Sequence, residues 1–305
     1  MKLIWNGTDI TEYCNITGSI HREVAGGKSD SLELTLDCAS VWYQWGPEEG
    51  DEIEVTDYGY MTGKMYLTAV IPQRDQYRIL ASSMNPKANR KAWIGFRNIY
   101  FKALVERCAA ECGMNGKIFG NDENLLIAYA LRKNEGCAAF LDRIGKPEGF
   151  KVKAYDGALR AIYLPYAEER EPEVRMTLTA KQEGITYRRR RNLKYSSLTV
   201  MSPWAKATAK DTGTEGDNPC TITTLPAMDS ATAGRWARNL LREHNRQAEE
   251  LRVEQQFNPA LSALYRVHVD GGTDMDGEWI IEEAEHDLKN RVSSAKMYRI
   301  IDSVR

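Results

Sequence analysis

The chain has 305 residues, of which 42% are hydrophobic and 28% charged, the profile of a globular protein with roughly two or three packed domains. Its 41 basic and 43 acidic residues leave a net charge of −2, so no global field draws it to nucleic acid or to an anionic membrane. The longest apolar run, Leu125 to Leu131, falls far short of the ~20 residues that span a bilayer. The N-terminus, Met1-Lys2-Leu3-Ile4-Trp5-Asn6-Gly7, lacks the apolar stretch and small-residue cleavage site of a secretory signal. These features predict a chain with no membrane anchor, made and kept in a cytoplasm.

Residues 1–88 read as strands. In Ser31 to Leu36, Leu32, Leu34 and Leu36 share one face and Glu33 and Thr35 the other, the alternation of a half-buried strand. Ile53 and Val55 repeat it, then Leu67 and Ala69, then Tyr77, Ile79 and Ala81, with turn residues between, as in a barrel or sandwich.

Residues 89–170 switch period. Phe101, Leu104, Val105, Cys108 and Cys112 fall on one helical face, with Asn98 as expected N-cap and Gly113 suited to the left-handed position after the last turn. A second helix carries Cys137, Phe140, Leu141 and Ile144 and stops at Gly145 and Pro147. Val152 and Ala154, then Leu159, Ala161 and Tyr163, alternate on either side of Asp156-Gly157, a strong hairpin signal because both turn residues tolerate positive φ.

Residues 171–305 return to strands around one long helix. Tyr195 to Met201 reads as a strand, and Ser202 to Pro226, rich in Thr, Gly, Pro and Asp, as a long loop. A helix is expected over 229–251, capped by Asp229 or Ser230, with an apolar stripe of Ala233, Trp236, Ala237, Leu240, Leu241, Ala248 and Leu251. Strands at Leu264 to Val269, Trp279 to Ala284 and Ala295 to Ile301 close the chain.

No constellation singles out a catalytic or metal site. Gly26-Gly27-Lys28-Ser29 resembles the end of a phosphate-binding loop, but Arg22 stands where the motif needs Gly and a strand is expected to follow. Asp274, Asp276, Gly277 and Glu283 match part of a calcium-loop spacing, yet Gly272 occupies the first ligand position, so a polar hairpin turn is expected. The histidines, His21, His244, His268 and His286, show no metal-binding spacing. Cys14, Cys38, Cys108, Cys112, Cys137 and Cys220 are scattered with no Cys-x-x-Cys pair, which predicts reduced, metal-free thiols. No Gly-x-Ser-x-Gly elbow occurs. The conspicuous charge run is Arg188, Arg189, Arg190 and Arg191. In a strand only two of these share a side, so a salt-bridged strand is the plain expectation and contact with an acidic partner or with passing DNA the functional one. Specific nucleic-acid binding is not expected.

The order of these segments resembles the late control gene D family of phage tails, which includes the hub proteins of contractile baseplates. Asn6-Gly7-Thr8-Asp9-Ile10-Thr11 is similar to the family's opening strand and turn, and Asp30 to Asp37 to its amphipathic core strand. A Trp-bearing loop at Trp42 and Trp45 follows, then Pro47, Gly50-Asp51-Glu52-Ile53-Glu54-Val55, Gly63 and Ala81-Ser82. Phe101 to Gly113, Phe140 to Ile144, Gly149-Phe150-Lys151-Val152 and the Asp156-Gly157 hairpin resemble its middle unit. Ala237 to Asn245, the pair Asn245-Arg246, Gly277 to Ile281 and His286 resemble its end.

The resemblance implies an α+β, mainly β fold: two tube-like β-barrels, 1–88 and 171–305, around an α+β insertion, 89–170. It implies a non-enzymatic homotrimer in a virion tail baseplate, assembled in the bacterial host cytoplasm and needing no cofactor. Its implied partners are the tail spike, tail tube and tape-measure proteins. Some members of the family carry a fused lysozyme, peptidase or long spike domain. This chain ends at Arg305, after the last expected strand, so no wall-degrading domain is expected. The alternatives are a type VI secretion spike hub and a cell-wall hydrolase using unmarked carboxylates.

Overall fold

The structure is a computed structural model that describes residues 1–37, 45–120, 125–179 and 181–304, with the Arg191 side chain left out. Cys38 and Trp42 therefore lie outside the described residues. Strands hold 48% and helices 19% of the described residues, so the fold is mainly β.

One sheet of 14 strands runs through both strand-rich ends. Its main path is Ile185–Arg189, Glu249–Gln256, Val292–Arg299, Gly277–Asp287, Asn15–Val24, Ser31–Asp37, Gln76–Ser82, Met65–Gln73, Glu52–Asp57, Lys2–Trp5 and Thr8–Asp9. The two ends join where Asn15–Val24 pairs antiparallel with Gly277–Asp287, His21 opposite His286 and Arg22 opposite Glu285. The order of this sheet closes no barrel among the described residues. The Asn15–Val24 strand, ten residues long and hydrogen-bonded on both sides, makes the two strand-rich ends continuous. The alternation read at Leu32, Leu34 and Leu36 holds: all three are buried, with Leu3, Trp5, Ile53, Val55 and Ile79.

The middle of the chain builds its own core. Helix α1 (Phe101–Glu111) and helix α2 (Cys137–Gly145) pack between a two-stranded ribbon, Ala92–Tyr100 with Leu126–Glu135, and a three-stranded sheet. In that sheet Ala158–Tyr163 pairs parallel with Asn115–Phe119 and antiparallel with Phe150–Tyr155. Asp156 and Gly157 take positive φ at the hairpin, as their sequence predicts. Gly116 lets the backbone of α1 lie directly on the sheet, because a Cβ there would stand 2.5 Å from Glu106 Cα. Asn98 is not a cap: it sits inside the Ala92–Tyr100 strand with φ +47°, and Tyr100 takes the N-cap position of α1 with no side-chain bond. A short helix, α3 (Leu164–Glu169), follows the hairpin.

Helix α4 (Ser230–Asn245) is capped by Asp229, whose side chain accepts from Thr232 N. It ends six residues before the expected 251. Asn245 turns its side chain onto the Tyr195 backbone, accepting from its N–H at 2.8 Å and donating to its carbonyl at 2.9 Å, and also donates to Asp211. Glu249, Leu251 and Val253 then bury one face of a strand. The expected loop over 202–226 is also corrected. It holds strands Lys206–Lys210 and Pro219–Ile222, which flank Ser197–Met201 in a small sheet under α4. Ala205 and Ala209 share one buried cluster with Ala233 and Ala237 of α4, and small residues carry little strand signal. Among the described residues no helix is long and apolar enough to cross a membrane.

Candidate functional site

The most heavily built polar region lies where the middle unit meets the sheet. Glu23, on Asn15–Val24, accepts from Lys153 Nζ at 3.2 Å, Ser262 Oγ at 2.6 Å and Tyr60 Oη at 3.0 Å. Lys153 reaches Asp30 at 3.1 Å as well, and Asp30 also accepts from Val24 N. All three ionic side chains are almost closed to water. Burial drives Glu23 upward, but Lys153, His21 and the Ser262 bond outweigh it and bring its carboxyl down to about 2. Burial wins at Asp30, which rises to about 6. Lys153 is itself held upward: burial opposes its charge, and Asp30 and Glu23 more than restore it.

Two buried histidines flank this joint. Burial pulls His21 down to about 4 and lowers His286 as well, so both are neutral near pH 7. Tyr60 gives its only proton to Glu23, so His21 Nδ1–H donates to the Tyr60 oxygen at 2.5 Å. His286 Nε2–H donates to Leu261 O at 2.8 Å, and its Nδ1 accepts from Ser293. The group ties the three parts of the chain together.

A second set of contacts fastens the middle unit to α4. Glu148 accepts from Arg235 at 2.6 Å and from Trp236 Nε1 at 2.7 Å, Glu168 pairs with Arg242 at 2.5 Å, and Glu243 pairs with Lys151 at 2.9 Å and Arg246 at 2.7 Å.

The residues singled out in sequence fall elsewhere. Arg188 and Arg189 lie on Ile185–Arg189, the end strand of the large sheet, with Glu250 at 4.0 Å and Glu249 at 3.5 Å. Arg190 donates its backbone N–H to Ala248 O. Arg188 and Arg189 thus sit on a salt-bridged strand, and Arg190 lies past its end. The Gly26-Gly27 loop docks on Val152, where a Cβ at Gly26 would stand 3.1 Å from the carbonyl oxygen, and it leads into a strand. Asp276 caps a hairpin turn by accepting from Gly272 N and Thr273 N. Among the described residues no group of three or more His, Cys, Asp or Glu side chains is arranged to hold a metal. His268 bonds Glu278 at 2.6 Å.

Two surfaces remain. A groove of about 780 Å³ along the sheet carries Arg22, Lys28, Arg252 and Lys296 against Glu254, Glu283 and Glu285, a mixed lining without one dominant sign. The outer face of the ribbon sets Trp93 opposite Lys133, Arg97 opposite Tyr129 and Tyr100 opposite Leu126, all exposed. Neither the polar joint nor this face was signalled in sequence. Glu23 and Lys153 are 130 residues apart and look like ordinary strand charges.

No family model and no curated protein matches the sequence. Solved structures do match the fold. A tail protein from Neisseria meningitidis MC58 aligns with a TM-score of 0.77 at 11% identity, covering 98% of this chain and 96% of that one. The 43 kDa tail protein of prophage MuSo2 from Shewanella oneidensis aligns with a TM-score of 0.76 at 14% identity, covering 98% and 97%. An Escherichia coli component of the type VI secretion system, itself structurally similar to the T4 bacteriophage tail proteins gp27 and gp5, aligns at 0.62 with 11% identity, covering 99% and 78%. The chain has the fold of these phage tail and type VI proteins.

Proposed function

We propose that this chain is the structural hub of a contractile phage tail or phage-like particle, a homotrimer joining a six-fold tail tube to a three-fold spike. The observation that carries the reading is a fold like that of two phage tail proteins along nearly the whole chain. The sheet supports it, because the strands Ile185–Arg189 and Thr8–Asp9 end its main path, and free sheet edges are normally covered by a neighbour. In the trimer each chain contributes two strand-rich units, 1–88 and 171–305, as segments of tube-like barrels. Three chains then offer six similar units to the tube through repeated head-to-tail contacts that close. The α+β unit, 89–170, lies outside the channel. The tail spike, tail tube and tape-measure proteins are the partners, and Arg188, Arg189, Arg190 and Arg191 border a seam with an acidic neighbour. The role is mechanical and non-enzymatic, and the location is the tail baseplate.

Electron microscopy of the protein mixed with its spike and tube partners tests this. A three-fold ring with pseudo-six-fold symmetry is expected. A chain that stays monomeric with those partners, or strand-rich units that do not superpose, overturns it. The likeness to the E. coli component supports a second reading, a type VI spike hub. The partners that complete the ring, a phage tail tube or a type VI one, separate the two.

A further inference from the structure

The three-stranded sheet of the middle unit carries a row of like charges on its outer face. Lys117, Arg160 and Lys153 are direct neighbours in register across its strands, so their side chains share one face. The other face, with Val152, Ala154, Leu159 and Ala161, is the one buried against α1 and α2. Like charges directly opposite one another in a sheet repel. Lys153 is compensated, because Glu23 and Asp30 reach it from the large sheet. Lys117 is exposed and solvated. Arg160 has neither remedy. Its side chain has no carboxylate or other hydrogen-bond partner among the described residues, and its Nε is closed to water. The guanidinium lies over the Tyr155 ring, 4.6 Å from the centroid. Leaving a guanidinium N–H buried without an acceptor costs stability, and packing alone would be served by an uncharged side chain.

Arg160 borders a groove of about 360 Å³. Phe119, Tyr155 and Ile162 reach it from the sheet, Tyr166 from α3, and Tyr265 from the loop that leads into Arg266–Asp270. Tyr166 is 42% exposed, so the groove is open to solvent on that side. The other two cations of the lining are already paired, Lys153 as above and Arg170 with Glu173 at 2.5 Å. Among the described residues no Asp or Glu lines the groove. It therefore sets one uncompensated positive charge among aromatic and aliphatic walls, in a volume that suits a small ligand or one or two side chains of a neighbour. A phosphate group brings close to two negative charges to that single cation. A carboxylate brings one and matches the planar guanidinium fork.

We propose that this groove binds a carboxylate carried on an aromatic or apolar stem, with Arg160 holding the carboxylate and Tyr155, Tyr166 and Tyr265 enclosing the stem. The carboxylate has two possible sources, a free small acid and a side chain of a neighbouring protein.

The test titrates the folded, full-length protein with phenylacetate and with its neutral counterpart phenylacetamide, followed by ligand-observed NMR. Phenylacetate should bind, and phenylacetamide should bind at least about tenfold more weakly, because a hydrogen bond between charged groups is lost. Arg160→Gln should remove that preference. Arg160→Lys keeps the charge without the fork and should retain part of it. Arg170→Gln, in the same groove but paired with Glu173, should change the affinity for phenylacetate less than about threefold. The comparison of acid with amide needs only the parent protein, so it stands even where a variant fails to fold. A capped peptide, acetyl-Ala-Phe-Glu-Phe-Ala-amide, carries its only carboxylate on a side chain and separates the sources. Tighter binding of the peptide assigns the groove to a protein neighbour, and tighter binding of phenylacetate assigns it to a free acid. No binding of either probe at about 10 mM, equal binding of phenylacetate and phenylacetamide, a preference that survives Arg160→Gln, or inorganic phosphate binding here more tightly than both probes would each overturn the proposal.

Discussion

The middle unit is fastened to its two neighbours by ionic contacts of opposite kinds. Toward the large sheet, one cation sits between two carboxylates, and the side chains of Lys153, Glu23 and Asp30 are 6%, 3% and 1% exposed. Toward α4, Lys151 with Glu243 is nearly as buried, at 12% and 8%, but Arg235 and Arg242, whose carboxylate partners are buried, are 37% and 29% exposed. Water can replace a lost partner at Arg235 and Arg242 and cannot at Lys153. Breaking a buried pair leaves an uncompensated charge, which costs far more than the intact pair contributes over an apolar substitute. The joint with the sheet therefore acts as a specificity device, intolerant of single changes, and the contact with α4 as an adjustable fastening.

Removing the central cation gives the largest expected effect. Lys153→Met leaves Glu23 and Asp30 facing each other without a counter-charge and should cost about 3–5 kcal/mol in urea unfolding at pH 7. Adding Glu23→Gln and Asp30→Asn to that variant should recover most of the loss. A triple variant no more stable than Lys153→Met would show that packing, and not charge, holds this contact.

Acid sharpens the same contrast. Glu23 has a depressed folded pKa, so its contribution is complete above its unfolded pKa near 4.5 and is lost as pH falls toward about 2, on the order of 3 kcal/mol. His21 is also depressed, to about 4, and its contribution fades between pH 6.5 and 4. Asp30 runs the other way. Its raised pKa adds stability at low pH that disappears as pH rises through about 6, so it offsets His21 in that interval. Urea midpoints should change little from pH 6.5 to about 4.5 and fall steeply below. In Asp30→Asn the offset is gone and the decline should begin near pH 6.5. An unchanged onset in that variant would remove His21 from the account.

How far these features could be read from sequence follows from where their signal resides. The alternation at Leu32, Leu34 and Leu36 and the Asp156-Gly157 turn are local, and both were legible. Leu251 fits two periods: it extends the helical stripe of α4 and also alternates with Glu249 and Val253, and only the grip of Asn245 on Tyr195 decides between them. The strand Lys206–Lys210 was hidden because its Ala residues are small and look like loop composition. The joint around Glu23 had no local signal. Cys108 and Cys112 were visible on one helical face, but Cys137 shares their core only through tertiary packing.

The half-exposed side of the comparison predicts a smaller loss. Glu148→Ala removes the acceptor of Arg235 and Trp236, but Arg235 can still reach water, so about 1–3 kcal/mol is expected. A loss as large as that of Lys153→Met would abolish the distinction drawn between the two contacts.

The smallest effect on the isolated protein belongs to the arginine run. Arg188 and Arg189 are about half exposed, and their contacts with Glu250 and Glu249 are long, at 4.0 and 3.5 Å. Exposed pairs of this kind contribute about 0–1 kcal/mol and are screened by salt. Glu249 also has Arg299 at 2.7 Å, so losing Arg189 leaves that carboxylate paired. The double variant Arg188→Ala and Arg189→Ala should therefore unfold within about 1 kcal/mol of the parent. Its position on the end strand of the sheet gives the experiment a second readout. If this edge meets an acidic neighbour in the proposed ring, the same variant should weaken ring formation measurably, and raising salt should weaken the parent's ring in the same way. A double variant that assembles like the parent at every salt concentration would remove the arginine run from the interface and leave it as the solvated end of a sheet.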